Sequence, residues 1–246
     1  AHPDAKLESL ILDLGSLNSV RAAAAEFMSR NVALHGLILN AGIMATPLGH
    51  TVDGFEQQFG VDHLGHFLLA RDLLPRLVES APARVVVLSS AGHQMGDVDF
   101  DDVNFERRDY EPFLAYGAAK TCNVLHAVEI DRRYRDQGVR AFAVHPGVIH
   151  TELGRYMTDE TMASLISRLS ESPAVMAWKS PEQGAATSVW AATSSLLDGR
   201  GGEYCEDCNV SAVVADGELN DGGVAARAVD PARAATLWAL SEKLVG

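Results

Sequence analysis

RVVVLSS, residues 84–90, decides the fold. Four aliphatic residues follow one another without polar alternation and stop at two serines, the pattern of a short strand covered on both faces. Similar runs stand at LILDL (10–14), LHGLILNAG (34–42) and VRAFAVHPG (139–147). The stretches between them, residues 16–31, 55–77 and 112–137, carry helical periodicity, and Gly138 supplies a stop for the last. Strands buried on both sides that alternate with helices imply an α/β fold, a doubly wound, mostly parallel sheet. After Pro146 the rhythm loosens. Ser180, Pro181 and Gln183 have capping-box spacing for a helix running to about residue 195, and Asp230 with Pro231 starts a terminal helix.

A length of 246 residues with 47% hydrophobic content suits one globular domain. With 33 acidic against 20 basic side chains, the net charge of -13 opposes nucleic acid and anionic membrane surfaces, both of which demand clustered cations. No apolar run approaches the roughly 18 to 20 residues of a membrane span, and AHPDAKLESL lacks the features of a signal peptide, so a soluble, cytoplasmic protein is expected. Three cysteines fit a reducing compartment. CEDC at 205–208 lacks a second ligand pair, and no metal site is expected there or at His63 and His66, which read as packing or surface residues. The acidic stretch GDVDFDDVNFERRDYE (96–111) reads as a solvated surface excursion.

In open α/β sheets ligands bind beyond the carboxyl ends of the strands. The residues there are Asp13, then Asn40, Ala41 and Gly42, then Ser89 and Ser90, then His145, Pro146 and Gly147. On the helix before the last of these strands, Tyr116 and Lys120 stand four apart and therefore on one face. A cation about 5 Å from a phenol, at an effective dielectric of about 20, favours the phenolate by roughly 3 kcal/mol, about two pKa units. Such a hydroxyl suits general acid or base work on a carbonyl and alcohol pair, with Ser90 bonding the same oxygen.

NAG at 40–42, SS at 89–90, YGAAK at 116–120 and HPGVIHT at 145–151, in that order, resemble the short-chain dehydrogenase/reductase family, whose fold is Rossmann-like. VDHLGHFLLARDLLP (61–75), EQGAATSVWAA (182–192), GGEYCEDC (201–208) and ARAATLWALSEKLVG (232–246) resemble the branch holding retinol dehydrogenases and the WW-domain oxidoreductase. The resemblance implies hydride transfer between NADP or NAD and a small-molecule carbonyl or alcohol. Tyr116 then exchanges the proton, Ser90 orients the oxygen, and Lys120 bonds the nicotinamide ribose. Asp13 and Leu14 belong to the cofactor site, Asp13 meeting the adenine amino group. Asn40, Ala41 and Gly42 run beside the cofactor, as do Pro146 and Gly147, and Val148 and Thr151 meet the carboxamide end.

Two features depart from the family pattern. The glycine-rich strand-turn-helix that cradles the pyrophosphate is expected some tens of residues before LILDL; nine residues precede it, and no GxxxGxG stands elsewhere. The sequence therefore reads as N-terminally truncated, lacking the first two strands of the family order 3-2-1-4-5-6-7. Three outcomes follow for the sheet: LILDL pairs with LILNAG, a partner chain fills the gap in a homo-oligomer, or an apolar edge stays exposed. The alternative to an enzyme is a catalytically impaired remnant that oligomerises or binds other proteins. Secondly, Asp62 stands where the family has asparagine, whose backbone carbonyl helps hold a water of the proton relay. An ionised Asp62 near Lys120 neutralises the cation and raises the tyrosine pKa again. Residues 149–179, with Leu153, Tyr156, Met157, Met162, Ile166 and Met176 among them, are the expected substrate cover.

Overall fold

The computed structural model describes residues 4–170, 178–217 and 219–246. In chain order the described strands are β1 Gly36–Leu39, β2 Ala83–Leu88, β3 Val139–His145, β4 Val148–Ile149, β5 Trp178–Lys179, β6 Glu203–Glu206, β7 Asn209–Val210, β8 Val213–Val214 and β9 Val224–Ala225. The helices are α1 Leu17–Ser29, α2 Gly65–Glu79, α3 Pro112–Tyr134, α4 Asp159–Ser170, α5 Pro181–Thr193 and α6 Pro231–Val245. The main sheet runs β1-β2-β3-β6-β7, parallel except for the final hairpin pair. Helices connect β1 to β2 and β2 to β3, as parallel neighbours require.

Period-two geometry explains the unbroken apolar runs. Val85 and Val87 of β2, with Ala141 and Ala143 of β3, join the larger core that holds residues of α2, α3 and α6. Val86 and Leu88, with Phe142 and Val144, face the other way, onto Ala191 of α5 and onto Leu197. The helix limits have local causes. Glu111 caps α3 by accepting the N–H groups of Phe113 and Leu114, and Pro112 stands in the first turn. Beyond α3 the chain turns at Gly138, whose φ of 80° suits glycine. Ser180 and Gln183 form the expected capping box, and Asp230 caps α6.

Two expectations are corrected and one is refined. Residues 10–14 form no strand: Ile11 is 91% exposed, nothing among the described residues pairs with LILDL, and β1 stands at the sheet edge with Ile38 46% exposed. Apolar character marks a segment that suits a sheet, but a strand exists only where a neighbour takes up its backbone N–H and C=O groups. The helix expected over 55–77 is present over residues 57–79, with Phe59–Leu64 wound as a π turn inside it before α2. At their junction a Cβ on Gly65 would stand 2.5 Å from the Leu14 carbonyl oxygen, so glycine permits that contact. The acidic stretch is not simply a solvated excursion. Val98, Asp102 and Phe105 are buried, and the Asp102 carboxylate accepts the N–H groups of Glu106 and Arg107. Its negative charges turn partly inward to satisfy backbone donors.

Met176 and the side chain of Ile166 lie outside the described residues. No described helix is long and apolar enough to cross a membrane. Cys205 is buried in β6, and Cys208 is exposed in the turn to β7.

His63, His66 and His126 are all buried. His63 Nε2 lies 2.8 Å from Ser241 Oγ, and His66 Nδ1 lies 3.1 Å from the Asp62 carbonyl. Burial pulls His66 down to about 4 and His126 to about 3, and holds His63 well below its usual value. A folded-state pKa below the unfolded one means that stability is full above the unfolded value near 6.5 and falls as pH drops toward 4. Urea unfolding is expected to show a loss of roughly 2 kcal/mol per buried histidine between pH 6.5 and 5. His126→Leu should flatten that slope, and an unchanged slope would contradict the assignment.

Candidate active site

Helix α3 is the axis of the site, and every residue from Ala115 to Asp131 is buried. Tyr116 and Lys120 share one face, with Lys120 Nζ 5.3 Å from the tyrosine ring centroid. Two bonds tie the end of β2 to this helix. Ser89 Oγ donates to the Lys120 carbonyl at 2.8 Å, and Asn123 Nδ2 donates to the Leu88 carbonyl at 2.8 Å. The next residue, Ser90, caps a short 3-10 turn by accepting the Gly92 N–H and hydrogen-bonds Tyr116.

Small residues bring the loop this close. A Cβ on Gly92 would stand 3.0 Å from the Tyr116 ring, and one on Gly117 would stand 2.6 Å from both the Gly92 carbonyl oxygen and the Gly96 nitrogen. Thr121 Oγ1 meets the carbonyls of His93 and Gly96, fixing the same loop from the next turn of α3.

Asp62, brought inward by the π turn, closes the arrangement from below. Its Oδ2 pairs with Lys120 Nζ at 3.0 Å, and its Oδ1 accepts the Ile43 N–H at 2.8 Å. Asp62 is fully buried and Lys120 is 4% exposed. Burial pushes the Asp62 carboxyl up, against the pull of Lys120 and of the Ile43 N–H. Burial alone would lower Lys120, but the charge of Asp62, with Tyr116, raises it. The two groups meet as a salt bridge shut off from solvent.

For Tyr116 the balance corrects the Coulomb arithmetic made from spacing alone. Burial raises its pKa, Lys120 and Ser90 lower it, Asp62 raises it again, and the net direction is upward. Desolvation and the counter-ion together outweigh one cation.

The other expected residues are distributed around this centre. Gly42 lies against it: a Cβ there would stand 3.3 Å from Asp62 Oδ1 and 3.4 Å from Lys120 Nζ. Asn40 and Ala41 are exposed just before it. Asp13 is exposed and accepts the Gly15 N–H at 2.8 Å, while Leu14 is buried against Gly65, at the start of α2. Pro146 and Gly147 form the turn after β3, and Val148 pairs with Trp178 in the β4–β5 ladder. Gly147 has φ +93° and packs on the Lys179 side chain, which pairs with Asp207. Thr151 is exposed and accepts the Leu153 N–H at the start of a 3-10 turn, Glu152–Tyr156. The Asp13 N–H also donates to Ser19 Oγ of α1 at 3.0 Å, while Thr151 Oγ1 bonds within its own turn.

His145 opens the HPGVIHT motif at the end of β3. Its Nδ1 accepts the N–H of Ala91 at 3.3 Å and of Gly147 at 3.4 Å, joining the turns after β2 and β3. Burial lowers it to about 4, so it is a neutral acceptor near pH 7. The sequence signal for such residues is weak: a histidine at a strand end, and glycines where two backbones meet.

Residues 2–161 match the sequence profile of the short chain dehydrogenases. The chain belongs to that family. Short-chain dehydrogenase/reductase prx1 of Penicillium roqueforti is 43% identical over 244 residues, which cover 98% of this chain and 71% of that protein. Retinol dehydrogenase 14 of Homo sapiens is 39% identical over 235 residues, covering 96% and 66%. An uncharacterized protein from Mycobacterium Paratuberculosis has a crystal structure with TM-score 0.68 and 36% identity, covering 95% of this chain and 74% of that one. These likenesses set the chain on the retinol dehydrogenase branch of a family of NAD(P)-dependent, hydride-transferring oxidoreductases.

Gly117→Ala tests the close approach. The substitution gains about 1 kcal/mol of helix propensity. The new Cβ nevertheless meets rigid backbone on two sides, and overpacking of that kind costs about 1–3 kcal/mol. A net loss of stability in urea unfolding is expected, and an increase would show that α3 and the Ser90 loop are not in contact.

Proposed function

We propose that the protein interconverts a small to medium-sized apolar carbonyl compound and its alcohol, using NADP or NAD. The observation that carries this reading is the convergence of Ser90, Tyr116 and Lys120 at the carboxyl ends of parallel strands, where such sheets bind ligands.

The residues present fit the nicotinamide half of such a cofactor. Glycine at position 42 leaves the approach to Lys120 open, where a side chain would stand 3.4 Å from its Nζ. Lys120 and Tyr116 would hold the nicotinamide ribose, and Pro146, Gly147, Val148 and Thr151 would border the carboxamide end. Asn40, Ala41 and Gly42 would run along the cofactor toward Asp13 and Leu14 at the adenine. The chemistry a bound nicotinamide supplies is a hydride for the carbonyl carbon.

This chain's own residues do the rest. Ser90 Oγ donates to the substrate oxygen and holds it against Tyr116. The tyrosine hydroxyl gives its proton to that oxygen in reduction and takes it back in oxidation. The lysine ammonium stabilises the phenolate left after proton donation. Burial of Tyr116 and Lys120 excludes the water that would otherwise screen these charges. The segment after Gly147 covers the site, and its 3-10 turn and α4 present Leu153, Met157 and Met162, all partly exposed, as an apolar surface.

A panel of apolar aldehydes and ketones with NADPH or NADH tests the reading. Turnover by the protein is expected, and Tyr116→Phe should reduce it by about three orders of magnitude while leaving nucleotide affinity within about twofold. Retained turnover in that variant would overturn the role given to Tyr116.

A further inference from the structure

The mechanism above uses Tyr116 in both directions, yet the surroundings of the phenol are not neutral between them. Lys120 is the cation that helps the phenol ionise, and its partner Asp62 sits 3.0 Å away with no exposure to solvent. We propose that Asp62 is the counter-charge that weakens the pull of Lys120 on the Tyr116 phenol, setting the site to give a proton to a carbonyl oxygen more readily than to take one from an alcohol. This deepens the reading of Tyr116 as the proton donor and rests on it.

The geometry supplies the reason. At the phenol the cation of Lys120, 5.3 Å from the ring centroid, is opposed by the carboxylate paired with it at 3.0 Å, so the two act as a dipole rather than as a lone charge. Water does not intervene, because Tyr116 and Lys120 are each only 4% exposed and Asp62 is fully enclosed. Lys120 and the Ile43 N–H favour the carboxylate form of Asp62 against its burial, with Arg155 of the 3-10 turn adding positive charge from the cover segment.

The other groups around the centre do not replace it. His66 of α2 faces Lys120 but is a neutral imidazole there. Glu56, before the π turn, faces Asp62, and its carboxylate is occupied by the N–H groups of Gln58 and Phe59 and by the Tyr110 hydroxyl. Tyr204 of β6 faces Tyr116 and is itself a buried neutral phenol, with Glu206 beyond it. Ser90 hydrogen-bonds Tyr116 without charge. Among the described residues, Asp62 is therefore the anion that offsets Lys120 at the phenol.

In the favoured direction the phenol O–H bond breaks as the alcohol O–H bond forms. The two electrons reach the carbon with the hydride of the reduced nicotinamide, and the phenolate is left beside Lys120. Stabilisation of that phenolate is weakened by Asp62 but not abolished, so the acid is reset by a proton from solvent after product leaves.

The test needs no turnover. Protein carrying ring-carbon-labelled tyrosine is titrated by NMR, with Tyr116→Phe identifying the resonance. The Tyr116 signal is expected to titrate above the ordinary phenol value of about 10, and Asp62→Asn should move its midpoint down by about one unit or more. Asp62→Ser, smaller and able to accept the Ile43 N–H, provides the same comparison if Asp62→Asn does not fold. A midpoint that stays in place or rises in the folded variant would overturn the counter-charge role while leaving the identity of the proton donor to the Tyr116→Phe turnover experiment.

Discussion

Helix α3 has no solvent face between Ala115 and Asp131, and that constraint organises the molecule. A buried polar group gains from a partner inside the protein, since leaving one unpaired costs about 1–3 kcal/mol and more when it is charged, though His126 of the same stretch has neither ring nitrogen hydrogen-bonded. Lys120 meets the requirement through Asp62, Thr121 through the loop after β2, and Asn123 through the end of β2 itself. Asp131 pairs with Arg140 at the start of β3 at 2.7 Å. Each bond that satisfies the helix also fixes a neighbouring element. The loop carrying Ser90 is thereby held at Tyr116, and the π turn carrying Asp62 is held at Lys120.

The site follows from this arrangement rather than being added to it. Burying a lysine next to a tyrosine demands an anion, and the anion alters the acid that the lysine would otherwise activate. Removing one member of such a pair usually costs about 3–5 kcal/mol, so the same contact serves stability and tunes the chemistry. Gly42, Gly92 and Gly117 let three backbone segments approach a centre that larger residues would hold apart.

Most of the architecture was legible because it rests on local patterns. The apolar runs of β2 and β3, the capping box at Ser180 and the stop at Gly138 each carry their cause within a few residues. LILDL was misread because its apolar pattern describes what a strand prefers, whereas forming one depends on a neighbour supplied from elsewhere. The acidic stretch was misread because composition does not reveal that Asp102 folds back onto its own backbone. Ser90, Tyr116 and Lys120 could be named from motif and spacing. The direction of the Tyr116 shift could not, because burial and the position of Asp62 exist only once the helix is packed. His145 joins two turns that are far apart in sequence, and nothing in its neighbours announces that.

A crystal structure of the protein with NADP and a bound carbonyl compound tests the account most directly. The account predicts the substrate oxygen within hydrogen-bonding distance of both Ser90 Oγ and Tyr116 Oη, with Lys120 still paired to Asp62 beneath them. A substrate oxygen bound away from both hydroxyls, or a Lys120 released from Asp62 and turned to solvent, would contradict it.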